Sequence, residues 1–189
     1  MELSSGPDDA FAEDAFLARY AEHASALMAW AHLRCRGPLG RVVDADDLVQ
    51  EVAVEAWRAR ERFDPARGSF RGWLLGVAGH VAASALRRVA RRSAVLGRES
   101  ELAEPMAELT TISRRVRRQE ATSELFAALD ALADDDRELV LLRGLEGLDH
   151  AAVGEVLGIS AEAASKRWQR LRDQLATWPE ANDLLSEHE

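Results

Sequence analysis

The amino-acid sequence predicts an all-α protein: two small helical domains joined by a linker. Three observations carry that expectation. Apolar residues recur at alternating three- and four-residue spacing through most of the chain, the period of amphipathic helices. Alanine and leucine abound while β-branched runs are nearly absent, a composition that favours helix over strand. Glycine and proline are few, 12 and 5 in number, and they punctuate the breaks between the first helices. At 189 residues the chain holds one large or two small cores.

The first helices are expected from Asp8 to Arg34, with a break near His23, then from Asp44 to Arg62 and from Ser69 to Arg92. RGPLGR and FDPARGS separate them. Asp44 is a helix N-cap by type, and Leu48, Val52 and Ala56, flanked by Val49, Ala53 and Trp57, form the buried stripe of the second helix. The third turns Phe70, Trp73, Leu74, Val77, Val81 and Leu86 inward. Residues 96–113 have weak periodicity and mixed polarity, and are expected to be an interdomain linker. Residues 1–95 and 114–189 then form the two domains, the second ending in a short acidic tail.

The most specific local pattern is LDHAAVGEVLGISAEAASKRWQRLRDQLATW. A short helix carrying Ala151, Val153 and Leu157 stops at Gly158, a residue suited to a left-handed terminating position. Ser160 caps a second helix whose Ala164, Trp168, Leu171, Leu175 and Trp178 make one apolar stripe. The face away from the stripe carries Glu162, Lys166, Gln169, Arg170 and Asp173, with Ser165 and Arg167 on its shoulders. Such side chains on a helix held by one face can meet base edges and phosphates in a major groove. Gly154 stands where helix-turn-helix units usually carry alanine.

Two further surfaces stand out in the first half. The second helix gathers Asp46, Asp47, Gln50, Glu51 and Glu55 on its free face, an acidic patch suited to a basic partner surface. No histidine lies at ligand spacing, so neither a metal site nor acid–base catalysis is expected there. The third helix ends in a dense arginine cluster, Arg87, Arg88, Arg91 and Arg92. Beside a Gly/Pro loop edged by aromatics, that cluster suits the backbone of a strand drawn out of its duplex. The net charge of −9 argues against a nonspecific DNA coat but not against local basic surfaces.

The single cysteine, Cys35, lies in an apolar helix and reads as a small buried hydrophobe in a reducing compartment. The acidic start MELSSGPDDAFAED is unlike a secretory signal, and no apolar run reaches membrane-spanning length. A cytoplasmic protein with no membrane insertion and no cofactor is expected.

At these residues the chain resembles the extracytoplasmic-function (ECF) sigma factors of RNA polymerase. DADDLVQEVAVEAWRARERFDPARGSFRGWLLGVAGHVAASALRR is similar to the family's second conserved region, and LDALADDDRELVLLRGLEGLDHAAVGEVLGISAEAASKRWQRLRDQL to its fourth. The two blocks cover about half the chain in the family's order, without the other regions of larger sigma factors. The resemblance implies a non-enzymatic promoter-recognition subunit. Asp46, Asp47, Gln50, Glu51 and Glu55 would bind the clamp helices of the polymerase beta-prime subunit. Phe63, Arg67, Ser69, Phe70, His80, Ser84, Arg87, Arg88 and Arg91 would melt and hold the minus-ten element, capturing a flipped base. Ser165, Lys166, Arg167, Gln169 and Arg170 would read the minus-thirty-five element, and the linker would thread toward the polymerase active centre. The beta flap and an anti-sigma factor are further implied partners. The chain departs from the family's usual Asn and Asp at His80 and Ser84, and from its usual Thr and Val at Ala163 and Ala164. Taken without the resemblance, the residues leave open a stand-alone helix-turn-helix regulator whose N-terminal helices dimerise or sense, or a helical adaptor.

Overall fold

A computed structural model of the chain describes residues 13–90 and 104–176, which are helical with no strand among them. Helix α1 (Glu13–Cys35) is the axis of the molecule. From Ala24 to Trp30 it buries almost every side chain, with Ala26, Leu27, Ala29 and Trp30 fully excluded from solvent. A helix apolar on all sides must be surrounded, and α1 touches elements of both halves of the chain. The break expected near His23 does not occur. His23 stacks on Phe70 with ring centroids 6.0 Å apart, and α1 runs through.

Helix α2 (Ala45–Ala59) is capped by Asp44, whose carboxylate accepts the Asp47 N–H at 2.8 Å. Its core face is Leu48, Val49, Val52, Ala53 and Ala56. The loop to the next helix is tightened by Asp64, which accepts the Ala66 N–H at 2.9 Å. Helix α3 (Phe70–Ala90) opens on Ser69, whose hydroxyl accepts the Gly72 N–H at 3.1 Å. Phe70, Leu74, Leu75, Ala78, Val81, Ala82 and Ala85 are buried, whereas Leu86, expected inside, is 41% exposed.

Residues 104–113, expected within a linker, are helical. They belong to α4 (Glu104–Arg117), which packs against α1 and α2. Leu109 and Val116 face inward with Ser113 between them, and the Tyr20 hydroxyl and Ser113 Oγ form a buried hydrogen bond of 2.9 Å. Burial pushes the Tyr20 phenol up to about 12, so its proton stays in place. The contact face is too narrow and too hydroxylated to stand out as an apolar stripe. The rest of the expected linker, up to residue 103, lies outside the described residues, as do Arg91, Arg92, Trp178 and the acidic tail.

The second half continues with α5 (Glu120–Ala131) and α6 (Asp134–Leu139). The chain then widens into a π turn, Val140–Leu145, that the sequence pattern did not announce. Helices α7 (His150–Leu157) and α8 (Ala161–Leu175) complete the fold. Asp149 and Ser160 cap them by accepting the N–H groups of Ala152 at 2.8 Å and Ala163 at 3.1 Å. Gly158 closes α7 at φ 68° and ψ 30°, a left-handed conformation that a Cβ resists. Val153, Ala164, Trp168, Leu171 and Leu175 are buried as the stripe requires, while Ala151 is exposed. Cys35 is only half-buried. Its thiol is nonetheless pushed up to about 11, by desolvation first and by Asp44 second, which leaves little thiolate for chemistry.

Candidate functional site

The acidic face of α2 forms as its spacing requires. Asp47 is exposed, and Asp46, Gln50, Glu51 and Glu55 are half-buried along the same side. Both edges of the face are engaged from within the chain. Arg117 of α4 donates to Asp46, and Arg88 of α3 makes a forked contact with Glu51, at 2.7 and 3.1 Å to its two oxygens. Glu55 lies 4.0 Å from Arg58. Among the described residues no group of His, Cys, Asp and Glu is placed to hold a metal ion.

The loop between α2 and α3 divides its residues by depth. Arg67 and Ser69 are exposed, but Phe63 and Phe70 are 7% and 6% exposed. Their rings meet at 5.4 Å, nearly perpendicular, and Trp73 and Phe16 extend the cluster. Aromatic burial turns these two phenylalanines inward in the unbound chain, where they support the loop from beneath. Farther along α3, His80 is exposed. Arg87, also exposed, donates to the Ser84 hydroxyl at 2.8 Å.

A cleft of about 840 Å³ runs beside this loop. Phe63, Arg67, Ser69 and Trp73 line one side, and Glu146 and Leu148 from the chain's second half line the other. Glu146 is a junction. It accepts the Trp30 indole N–H at 3.0 Å and the Arg34 Nε at 2.8 Å, with Arg34 Nη2 also in contact. Nearby, the buried Arg71 donates to the Gly144 carbonyl at 2.8 Å. Beyond it, Asp130 pairs with His32 at 2.7 Å and Arg36 at 3.0 Å, and the His32 ring stacks flat on Phe126. None of this seam was read from the sequence, because its partners stand about a hundred residues apart.

On α8, Lys166, Gln169 and Arg170 are exposed and Ser165 is half-buried. Lys166 pairs with Glu162 one turn back at 2.6 Å, both side chains being about three-quarters exposed. Such a surface pair yields readily, being worth only about 0.3–0.5 kcal/mol. Arg167 behaves differently. Its guanidinium contacts Asp136 and reaches Asp135 at 3.3 Å, and its hydrogen bond to Asp136 is the main cause of a raised pKa. The aspartates that open α6 therefore hold α8 through Arg167, and this side chain is turned away from the free face.

Comparison with known proteins finds one family along the chain. Residues 19–92 match Sigma-70 region 2, and residues 122–175 match Sigma-70, region 4. The ECF RNA polymerase sigma factor SigC of Mycobacterium tuberculosis is 37% identical, over 77% of this chain and 76% of its own length. The RNA polymerase sigma factor CarQ of Myxococcus xanthus is 32% identical, over 87% of this chain and 91% of its own. No solved structure gives a significant match.

Proposed function

The chain belongs to the ECF sigma factors of RNA polymerase, and from that membership we propose how its residues divide the work. A sigma factor directs promoter-specific transcription by binding core polymerase and promoter DNA. Here residues 1–95 serve as the unit for core polymerase and the minus-ten element, and 114–189 as the unit for the minus-thirty-five element. Asp46, Asp47, Gln50, Glu51 and Glu55 dock the beta-prime clamp helices. Phe63, Arg67, Ser69, Phe70, His80, Ser84, Arg87, Arg88 and Arg91 serve the opened minus-ten strand. Ser165, Lys166, Arg167, Gln169 and Arg170 read the minus-thirty-five duplex, and in the unbound chain Arg167 also braces the reading helix against Asp135 and Asp136.

The observation that carries the proposal is the pairing, on one chain, of an acidic α2 face with an exposed polar start to a capped α8. A helix-turn-helix alone needs no acidic docking face. The beta flap, an anti-sigma factor and a cytoplasmic location belong to the same proposal. Among the described residues no helix is long and apolar enough to cross a membrane.

Reconstitution with core polymerase and run-off transcription from the native upstream region tests the function. The chain is expected to form holoenzyme and start transcripts at a fixed position. Asp47→Arg with Glu51→Arg should weaken core association at least tenfold while circular dichroism stays unchanged, since charge reversal sets like charges against the partner. Specific duplex binding without polymerase, together with no association with core, would point instead to a stand-alone regulator.

A further inference from the structure

The acidic face that the proposed function assigns to core polymerase calls for a basic helical partner, and the chain brings one of its own. Helix α4 ends in Arg114, Arg115, Val116 and Arg117, with Arg118 just beyond it. Val116 and Leu109 seat it on α1 and α2, and the buried Tyr20–Ser113 hydrogen bond fixes its register. That register brings Arg117 onto Asp46, at the first turn of α2. Arg114, Arg115 and Arg118 remain exposed beside it. Immediately beyond, Gln119 is extended at φ −70° and ψ 134°, so α4 is a separate rod, joined to α5 by a bend.

A carboxylate committed to one guanidinium offers less to a second, because the two cations repel and compete for the same lone pairs. Asp46 is 35% exposed and Arg117 58% exposed, so the pair is reachable and exchangeable. We propose that α4 is an intramolecular gate on the docking face of α2: Arg117 holds Asp46 in the free chain and gives it up when core polymerase docks. The proposal rests on the sigma-factor reading and adds a competitor that this chain supplies in cis.

The test is an equilibrium titration of core polymerase against full-length chain labelled at its N-terminus, at about 0.1 M salt, where charge pairs are incompletely screened. Arg117→Ala should tighten binding about two- to fivefold, the range an exposed ion pair can supply. Arg115→Ala makes the same change in net charge and should leave affinity unchanged. In an Asp46→Ala background, Arg117→Ala should have no effect, since the pair is already broken. Arg117 is exposed, so folding should survive, and circular dichroism confirms it for each variant. Equal or weaker binding by Arg117→Ala overturns the gate, and so does equal tightening by Arg115→Ala, which would reduce the effect to net charge. Failure of the unaltered chain to bind core at all would overturn the functional reading itself, a distinct result.

Discussion

At Gly154, two opposing effects can be ranked. Replacing a helical glycine by alanine ordinarily stabilises by about 1 kcal/mol. A Cβ at Gly154, however, would stand 2.6 Å from the Ile159 carbonyl oxygen and 3.3 Å from the Ala161 nitrogen. Both are backbone atoms of the corner between α7 and α8, which has little room to give. The steric effect wins, and Gly154→Ala should lower stability by about 1–2 kcal/mol, measured by urea denaturation. An unchanged or raised midpoint would show that the corner can relax. The sequence suggested that alanine would fit here. It could not show the distance, because the close approach comes from the chain folding back at Gly158. Phe63 and Phe70 teach the same lesson. Their aromatic character was evident, but their burial depends on Phe16 and Trp73, which only the fold brings near.

Among the elements, those with strong caps and stripes were the readable ones. Asp44, Asp149 and Ser160 each accept the backbone N–H three residues on, and α2, α7 and α8 begin where those residues stand. Helix α4 was hidden because its inward face carries Ser113 among few apolar residues, and the π turn because its run VLLRGL, apolar but for Arg143 and Gly144, follows no helical period. The proposed reading face lies on α8. Lys166 and Arg170 lie one turn apart on its free side, while Trp168 and Leu171 anchor the other. Lys166→Ala with Arg170→Ala should therefore cost promoter binding by the holoenzyme about tenfold or more, without changing helicity or association with core. Gel-shift and core-binding assays run in parallel separate these effects. Arg167→Ala should act differently, lowering the thermal midpoint because Asp135 and Asp136 lose the cation that joins α6 to α8.

Across the whole molecule, the two halves share a continuous apolar core and a polar seam centred on Glu146. The seam lies against the cleft beside the α2–α3 loop, so the proposed minus-ten surface is flanked by the chain's own second half. Removing the Glu146 carboxylate leaves the Trp30 indole N–H without its acceptor in a buried position and deprives Arg34 of its partner. Glu146→Ala should cost about 1–3 kcal/mol and favour separation of the halves. An increase in radius of gyration by small-angle X-ray scattering would register the separation, and an unchanged radius would show that apolar packing alone holds the halves together.

Trp30 is fully buried on α1, yet its one polar atom is bonded across that seam. An indole so placed reports optically on whether the halves are together. Separation would exchange a carboxylate and apolar neighbours for water, shifting its emission to the red. Five tryptophans share the signal, so the comparison of choice is the difference between the unaltered chain and Trp30→Phe. The same side chain that ties the halves together can thus time their parting, in a stopped-flow instrument and with no dye attached.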